Sequence, residues 1–341
     1  MASQFTYTSA ILAVMTGAAV SPAALAQDES FKGRTVTVTI GFSTGGNYDF
    51  VGRLVSRHIG KQLPGQPSGV AVNMPGAGSI RAANYIFNAA PKDGTALGIM
   101  SSSLAIEEAL GAPNIQYKAS EFGWVGRVSM ILQVLSTLDP AKAKTIDDVL
   151  RIETAMGGTG AGSPSEGYPK ILNGLLGAKF KVISGYTSSA DTMLAMERGE
   201  LDGSLPSWNT IKRTKPDWIA EKKIHPLVQF AFVRSPDLPD TPTSVELGGN
   251  SQDRAVLEFY TSGEELGRSI LAPPGMPAER LRMLREAFDR MLVDEDFIAE
   301  VRKARLEFNP LSGVKLQAIA AATVAASRET VDRTRALLGI K

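Results

Sequence analysis

The chain has 341 residues with 36 basic and 35 acidic side chains, two histidines and no cysteine. That inventory excludes disulfides, thiolate chemistry, iron–sulfur clusters and centres built on several imidazoles. A net charge of +1 argues against a nucleic-acid partner. The length suggests two domains, each large enough for its own core.

Residues 1–26 carry no charged side chain. An apolar run through Ile11–Met15 and Gly17–Val20 is followed by Pro22 and Ala24-Leu25-Ala26. A short apolar stretch ending in A-x-A reads as a cleavable secretory signal, although no Lys or Arg precedes it. The alternative is a disordered or buried N-terminal segment. The run is too short to span a bilayer, which takes about 20 apolar residues. A soluble protein exported to the periplasm is expected.

Val36, Val38, Ile40 and Phe42 alternate with Thr35, Thr37 and Thr39, the pattern of a half-buried strand. After Ser43-Thr44-Gly45-Gly46, the apolar spacing from Phe50 to Leu63 predicts a helix. A strand at Gly69–Met74, a helix from Ile80 to Ala90 and a strand at Ala96–Met100 complete β-α-β-α-β, whose helical crossovers require parallel strands. The same grammar returns with strands at Ile152–Met156, Phe180–Ile183, Leu201–Leu205 and Leu227–Phe232, and helices near Tyr168–Leu176 and Asp191–Arg198. The tail is helical: Leu281, Leu284, Phe288, Met291 and Leu292 form a stripe, and Ile319–Leu338 is Ala-rich. The first unit is its expected host. The expected fold is α/β and two-lobed, like a type II periplasmic binding protein, with a cleft between the lobes. Lobe 1 takes residues 27–130 and 245–341, and lobe 2, residues 131–244, is inserted.

Six loops follow the carboxyl ends of these strands, where an open α/β sheet binds ligands. They begin at Ser43, Pro75, Ser101, Gly157, Ser184 and Pro206. Three are dense in Gly, Ser and Thr and precede helices, which suits a carboxylate or phosphate. For any single loop a tight turn is the better reading; six together favour a site. One rival is Gly41-Phe42-Ser43-Thr44-Gly45, which matches the G-x-S-x-G elbow of serine hydrolases. Its strand is the first of the mature chain, nothing upstream supplies an oxyanion loop, and His58 and His225 are badly positioned as bases. A secreted hydrolase using Ser43 is therefore the alternative.

Ile-Gly-Phe-Ser-Thr-Gly-Gly-Asn-Tyr-Asp at 40–49 resembles the first loop of the solute-binding receptors of tripartite tricarboxylate transporters, the Bug family. Asn73–Ser79, Ala90–Thr95, Leu238–Gly248 and Ala272–Pro277 are similar to four further family motifs in the same order. The resemblance implies a non-enzymatic periplasmic receptor without a cofactor or metal. Such a receptor closes on a small organic carboxylate and delivers it to membrane permease subunits, or signals to a membrane sensor kinase; a monomer is expected. The implied ligand contacts are backbone amides and ordered water. In the first lobe they fall at Phe42, Ser43, Thr44, Gly45, Gly46, Asn47, Gly76, Ala77, Gly78, Ser79 and Ser101. In the second they fall at Thr159, Gly160, Ala161, Ser163, Tyr186, Thr187, Ser188, Ser189 and Trp208. Ser43-Thr44 replaces the family's Pro-Pro, Asn47-Tyr48 its Ser-Thr, and Thr187 its lysine. These departures remove positive charge and point to one or two carboxylates, on a body that Tyr48, Tyr186 or Trp208 covers. Arg81 is either a countercharge at the cleft or a solvent-exposed helix residue.

Overall fold

A computed structural model describes Met1 and residues 31–160, 163–186 and 188–340. The expected signal segment after Met1, together with Ala161 and Thr187, lies outside the described residues. The chain begins with β1 (Thr35–Ile40), α1 (Asn47–His58), β2 (Ser68–Asn73), α2 (Ile80–Asn88), β3 (Ala96–Ile99), α3 (Leu104–Ala109) and β4 (Gly123–Ser129). It continues through β5 (Gln133–Leu138), α4 (Ile146–Val149), β6 (Thr154–Gly158), α5 (Pro164–Leu176), β7 (Phe180–Ser184), α6 (Ser189–Glu197), β8 (Gly203–Ser204), α7 (Trp208–Thr214), α8 (Pro216–Ala220) and β9 (Ile224–Phe230). It ends with α9 (Ser251–Leu266), β10 (Arg268–Ala272), α10 (Ala278–Leu292), α11 (Glu295–Lys303), β11 (Leu311–Ser312), α12 (Gly313–Val324) and α13 (Arg328–Leu338).

Two mixed sheets result, ordered β11-β4-β10-β3-β1-β2 and β7-β6-β8-β5-β9. In the first, β1 pairs in parallel with β2 and β3, as helical crossovers demand, while β10 runs antiparallel between β3 and β4. In the second, β6 is parallel to β7 and β8, and β5 is antiparallel to β8 and β9. The chain leaves the first sheet after Ser129, enters the second at Gln133, and rejoins the first at Arg268.

Each sheet is covered on both faces. Val38, Ile40, Leu54, Ile270 and Phe288 fill one layer of the first, and Ile86, Leu104, Trp124, Leu271 and Leu316 the other. The second sheet lies between Leu135, Tyr168, Ile171 and Phe230 on one side and Val134, Met193, Trp208 and Trp218 on the other. Full burial of such a side chain contributes about 1.5–3 kcal/mol.

Three expectations change. The strand expected over Leu201–Leu205 is regular only at Gly203–Ser204; Asp202 still bonds through its backbone to Ala155 and Leu138, and its carboxylate takes the Ala155 amide at 2.8 Å. The Ala-rich tail is two helices, broken where Ser327 Oγ accepts the Thr330 amide and caps α13. α10 and α12 do pack on β4 of the first sheet, but α13 lies on α5 and α9, with Val331 and Leu337 against the second core.

Candidate functional site

The loops after β1, β2 and β3 form one connected surface. Asn73, the last residue of β2, donates from Nδ2 to the Phe42 carbonyl and to Asp49 Oδ1, both at 2.8 Å. Asp49, in the first turn of α1 and only 6% exposed, accepts the Gly45 amide on Oδ2 at 3.0 Å and Arg53 Nε on Oδ1 at 3.0 Å. Burial would raise this carboxyl; hydrogen bonds from Arg53, Asn73 and Gly45 outweigh it and hold Asp49 below the usual carboxylate range. Ser79 Oγ accepts the Ser101 amide at 2.8 Å, and Tyr48, stacked on Phe42 at 4.3 Å, accepts the Ser102 amide on its hydroxyl. Gly41 is required here, since a side chain at 41 would strike Ser79. Gly76, Ala77, Gly78 and Ser79 all have positive φ, between 47° and 141°. For Ala77 and Ser79 that conformation stores about 1–3 kcal/mol each, a kind of strain that clusters at ligand sites.

The second sheet repeats the device. Glu166, in the first turn of α5 and 4% exposed, accepts the Gly160 amide at 3.1 Å and Ser184 Oγ at 2.7 Å on Oε1, and Lys170 Nζ at 3.3 Å on Oε2. Burial again pushes upward, and the contacts from Ser184, Lys170 and Gly160 bring Glu166 below its ordinary value. Thr159 donates its amide to Ser165 Oγ, which also lies 2.9 Å from Ser163 Oγ. Tyr186 donates its amide to Gly158, and Ser188 caps α6 by accepting the Asp191 amide.

Of the expected contact residues, Ser43, Thr44, Gly45, Gly46, Gly76, Ala77, Gly78 and Ser189 are exposed, while Ser79 is buried and acts as a brace. Trp208 is 5% exposed and packs in the core with Leu132 and Ile211, its indole Nε1 without a hydrogen-bond partner among the described residues. What α7 presents instead is Asn209 and Arg213. These line a cavity of about 130 Å³ with Gly45, Gly46, Asn47 and, from the turn after α11, Arg305. Neither arginine has an ion-pair partner among the described residues. Arg81 is exposed, with its stem 3.4 Å from the Cβ position of Gly76. A second cavity, of about 550 Å³, touches Ser102 and Ser103 of the third loop and Pro164 and Glu166 of α5. Nothing in the sequence by itself singles out Asp49 and Glu166, although Asp49 stands four residues after Gly45, a spacing that permits this brace. No local signal marks Arg213 or Arg305.

Both histidines are committed elsewhere. His58 Nε2 lies 2.8 Å from Glu300 Oε1, and His225 Nε2 2.9 Å from Asp139 Oδ1 at the opposite end of β5 and β9. Ser43 therefore has no imidazole base, and the hydrolase alternative loses its geometry.

Two α/β lobes, with the carboxyl ends of their parallel strands lined by glycine-rich loops and the chain crossing between them, define the two-lobed periplasmic binding-protein fold. No family model matches the chain. It is 27% identical over 294 residues to a UPF0065 protein from the TAR-I ttuE-ttuC' intergenic region of Agrobacterium vitis, covering 84% of this chain and 79% of that one. UPF0065 is the Bug family. Among solved structures, a TctC solute-binding protein from Polaromonas superposes with a TM-score of 0.67 at 18% identity, over 90% of this chain and 98% of that one. MatC from Rhodopseudomonas palustris with bound malate superposes with a TM-score of 0.62 at 23% identity, over 90% of this chain and all of the other. The resemblance to the Bug solute-binding proteins read from the sequence is borne out by these likenesses.

Proposed function

We propose that the protein is a soluble periplasmic solute-binding protein that captures a small organic carboxylate carrying one or two carboxyl groups. The observation that carries this reading is the cavity of about 130 Å³ where Gly45–Asn47 of one lobe meet Asn209 and Arg213 of the other, with Arg305 beside them. One carboxylate fits that volume. Two guanidiniums and neighbouring amides supply charge-assisted donors, so capture uses arginine as well as backbone. The structure of MatC with bound malate supports a dicarboxylate. No helix among the described residues is long and apolar enough to cross a membrane, in keeping with a diffusible receptor.

The mechanism is a population shift: a ligand held by both lobes favours the closed form, which a membrane permease or a membrane sensor then recognises. The lobes we assign are 27–130 with 245–341, and 131–244, with α9 and α13 of the first carried onto the core of the second. The crossing between Ser129 and Gln133 supports the first boundary. A leader over residues 1–26 would be removed on export.

Calorimetry with succinate, malate and adipate tests the reading, alongside thermal melts. Saturable binding of at least one acid that weakens in Arg213→Ala supports it; a ligand at 100 times its Kd adds about 2.7 kcal/mol of stability. No binding by any carboxylate, or ester turnover abolished by Ser43→Ala, would overturn it.

A further inference from the structure

The cavity of about 550 Å³ shares no lining residue with the carboxylate cavity and has the opposite electrostatic character. It lies between α3, the first turns of α5, the end of α9 and residues 338–340. Ile106, Leu110, Pro113, Pro164 and Leu338 make much of its wall apolar. Set into that wall are three carboxyl groups, Glu107, Glu166 and Glu264, with Lys170 as the one cation lining it.

The three acids are not equivalent. Glu166 is fully engaged by Gly160, Ser184 and Lys170. Glu107 accepts Ser103 Oγ at 2.7 Å on Oε1, with the Tyr117 hydroxyl a distant 3.5 Å from Oε2. Glu264 is 5% exposed; its Oε1 accepts the Tyr168 hydroxyl at 3.3 Å, and its Oε2 has no hydrogen-bond partner among the described residues. Leaving a buried polar atom unpaired costs about 1–3 kcal/mol, and an anion entering here would meet three carboxyls. The complement is a donor-rich cation on an apolar body.

We infer that this cavity binds a small organic ammonium, its hydrocarbon part against Ile106, Leu110 and Leu338 and its N–H groups donating to Glu264 Oε2 and Glu107. The site spans both lobes, because Glu107 stands on α3, whose N-cap is Ser103, on the first sheet's side, and Tyr168 on α5 of the second. Occupancy would therefore bias the lobes independently of the carboxylate. The groups facing Glu264 are Tyr48 on α1, Glu107 on α3, Glu166, Tyr168 and Lys170 on α5, Tyr260 and Glu265 on its own helix, and Arg268 on β10. Burial pushes Glu264 up to about 8 despite the Tyr168 hydrogen bond and the Arg268 charge, and pushes Glu107 up as well. An arriving cation must ionise Glu264, so binding releases a proton below pH 8 and weakens by about tenfold per unit as pH falls further.

The test is calorimetry on the whole protein with hexylammonium chloride, 1-hexanol and sodium hexanoate at pH 6, 7 and 8.5. The expected result is one saturable hexylammonium site, at least tenfold tighter at pH 8.5 than at pH 6. Its affinity drops at least tenfold in Glu264→Gln. Ala112→Phe, which fills the cavity while keeping all three acids in the sequence, also abolishes it and serves if the glutamine variant does not fold. Hexanoate bound at the other cavity is recognised by its loss in Arg213→Ala and its persistence in Ala112→Phe. The inference is overturned if hexylammonium does not bind, if hexanol binds as tightly, if the affinity is flat with pH, or if both cavity variants bind as the parent does.

Discussion

Asp49 receives the Gly45 amide on Oδ2 at 3.0 Å, so a buried carboxylate holds the first glycine loop in place. Glu166 does the same for Gly160 in the other lobe, again from the first turn of the helix that follows the loop. Each carboxylate also pairs with a cation four residues on, Arg53 or Lys170. Each reaches the end of the neighbouring parallel strand, at Asn73 or Ser184. The two glycine loops are thus shaped before any ligand arrives, which lowers the ordering cost of binding.

Asp49→Ala removes the partner of Gly45, Asn73 and Arg53 at a site 6% exposed. A loss of about 2–3 kcal/mol in urea unfolding is expected, from several hydrogen bonds deprived of one acceptor. Carboxylate affinity should fall at least tenfold with it. Arg53→Ala, which leaves Asn73 and Gly45 bonded, should cost clearly less; equal losses would mean that the ion pair alone matters.

Asp49 and Glu166 both sit below their ordinary pKa in the folded protein, whereas Glu264 sits above it at about 8. For the first two, the unfolded state binds protons more readily, so their stabilisation is present above about pH 4–5 and is lost as pH falls through the folded values. For Glu264 the sign reverses: the folded state holds the extra proton, and stability declines as pH rises from about 4.5 to 8. Glu264→Gln should flatten that decline, gaining on the order of 3 kcal/mol over the parent at pH 8 relative to pH 5. Urea midpoints across pH 3–9 check both limbs.

Arg213 is exposed and lines the cavity beside Gly45–Asn47. Arg213→Ala should weaken carboxylate binding at least tenfold, about 1.4 kcal/mol. The melting temperature without ligand should stay put, because exposed substitutions usually fall within about 0.5 kcal/mol. Arg213→Lys should recover only part of the affinity, since an ammonium cannot reproduce the planar fork.

A methyl group at Gly167 would collide with the Tyr260 hydroxyl, where α5 and α9 come into contact. Gly167→Ala should destabilise by about 1–3 kcal/mol through overpacking. Tyr260→Phe removes the nearest obstructing atom but leaves the ring carbon Cζ 2.7 Å from the added methyl, so the double variant should recover only part of that loss. Additive losses would show that the collision is relieved by backbone movement instead.

Much of the architecture is legible from local pattern. The Val/Thr alternation of β1 and the glycine-rich turns depend on near neighbours alone, and the 3.6 spacing of α1 and α10 is equally local. β4 and β10 carry no such alternation, because every residue in them is buried from both faces. The whole of α9 is hidden for a different reason, with Thr261, Ser262 and Gly263 interrupting its apolar face. At the site, the loops are written in the sequence, but their occupants are not. Trp208 reads as a ligand cover and packs among the core residues of the second sheet, while Arg213 is carried to the loop from more than 160 residues away.

The inventory of residues alone excludes thiol and disulfide chemistry and a multi-histidine centre, and the order of strands, helices and glycine loops sets two α/β units with anion-suited edges. Those properties follow from composition and short-range periodicity. Which carboxylates brace the loops, which arginines face them, and that Glu264 keeps an oxygen unpaired among the described residues beside an apolar cavity are fixed by the packing of distant segments. Burial and charge pairing act through space, and only the folded chain brings these groups within a few ångströms of one another.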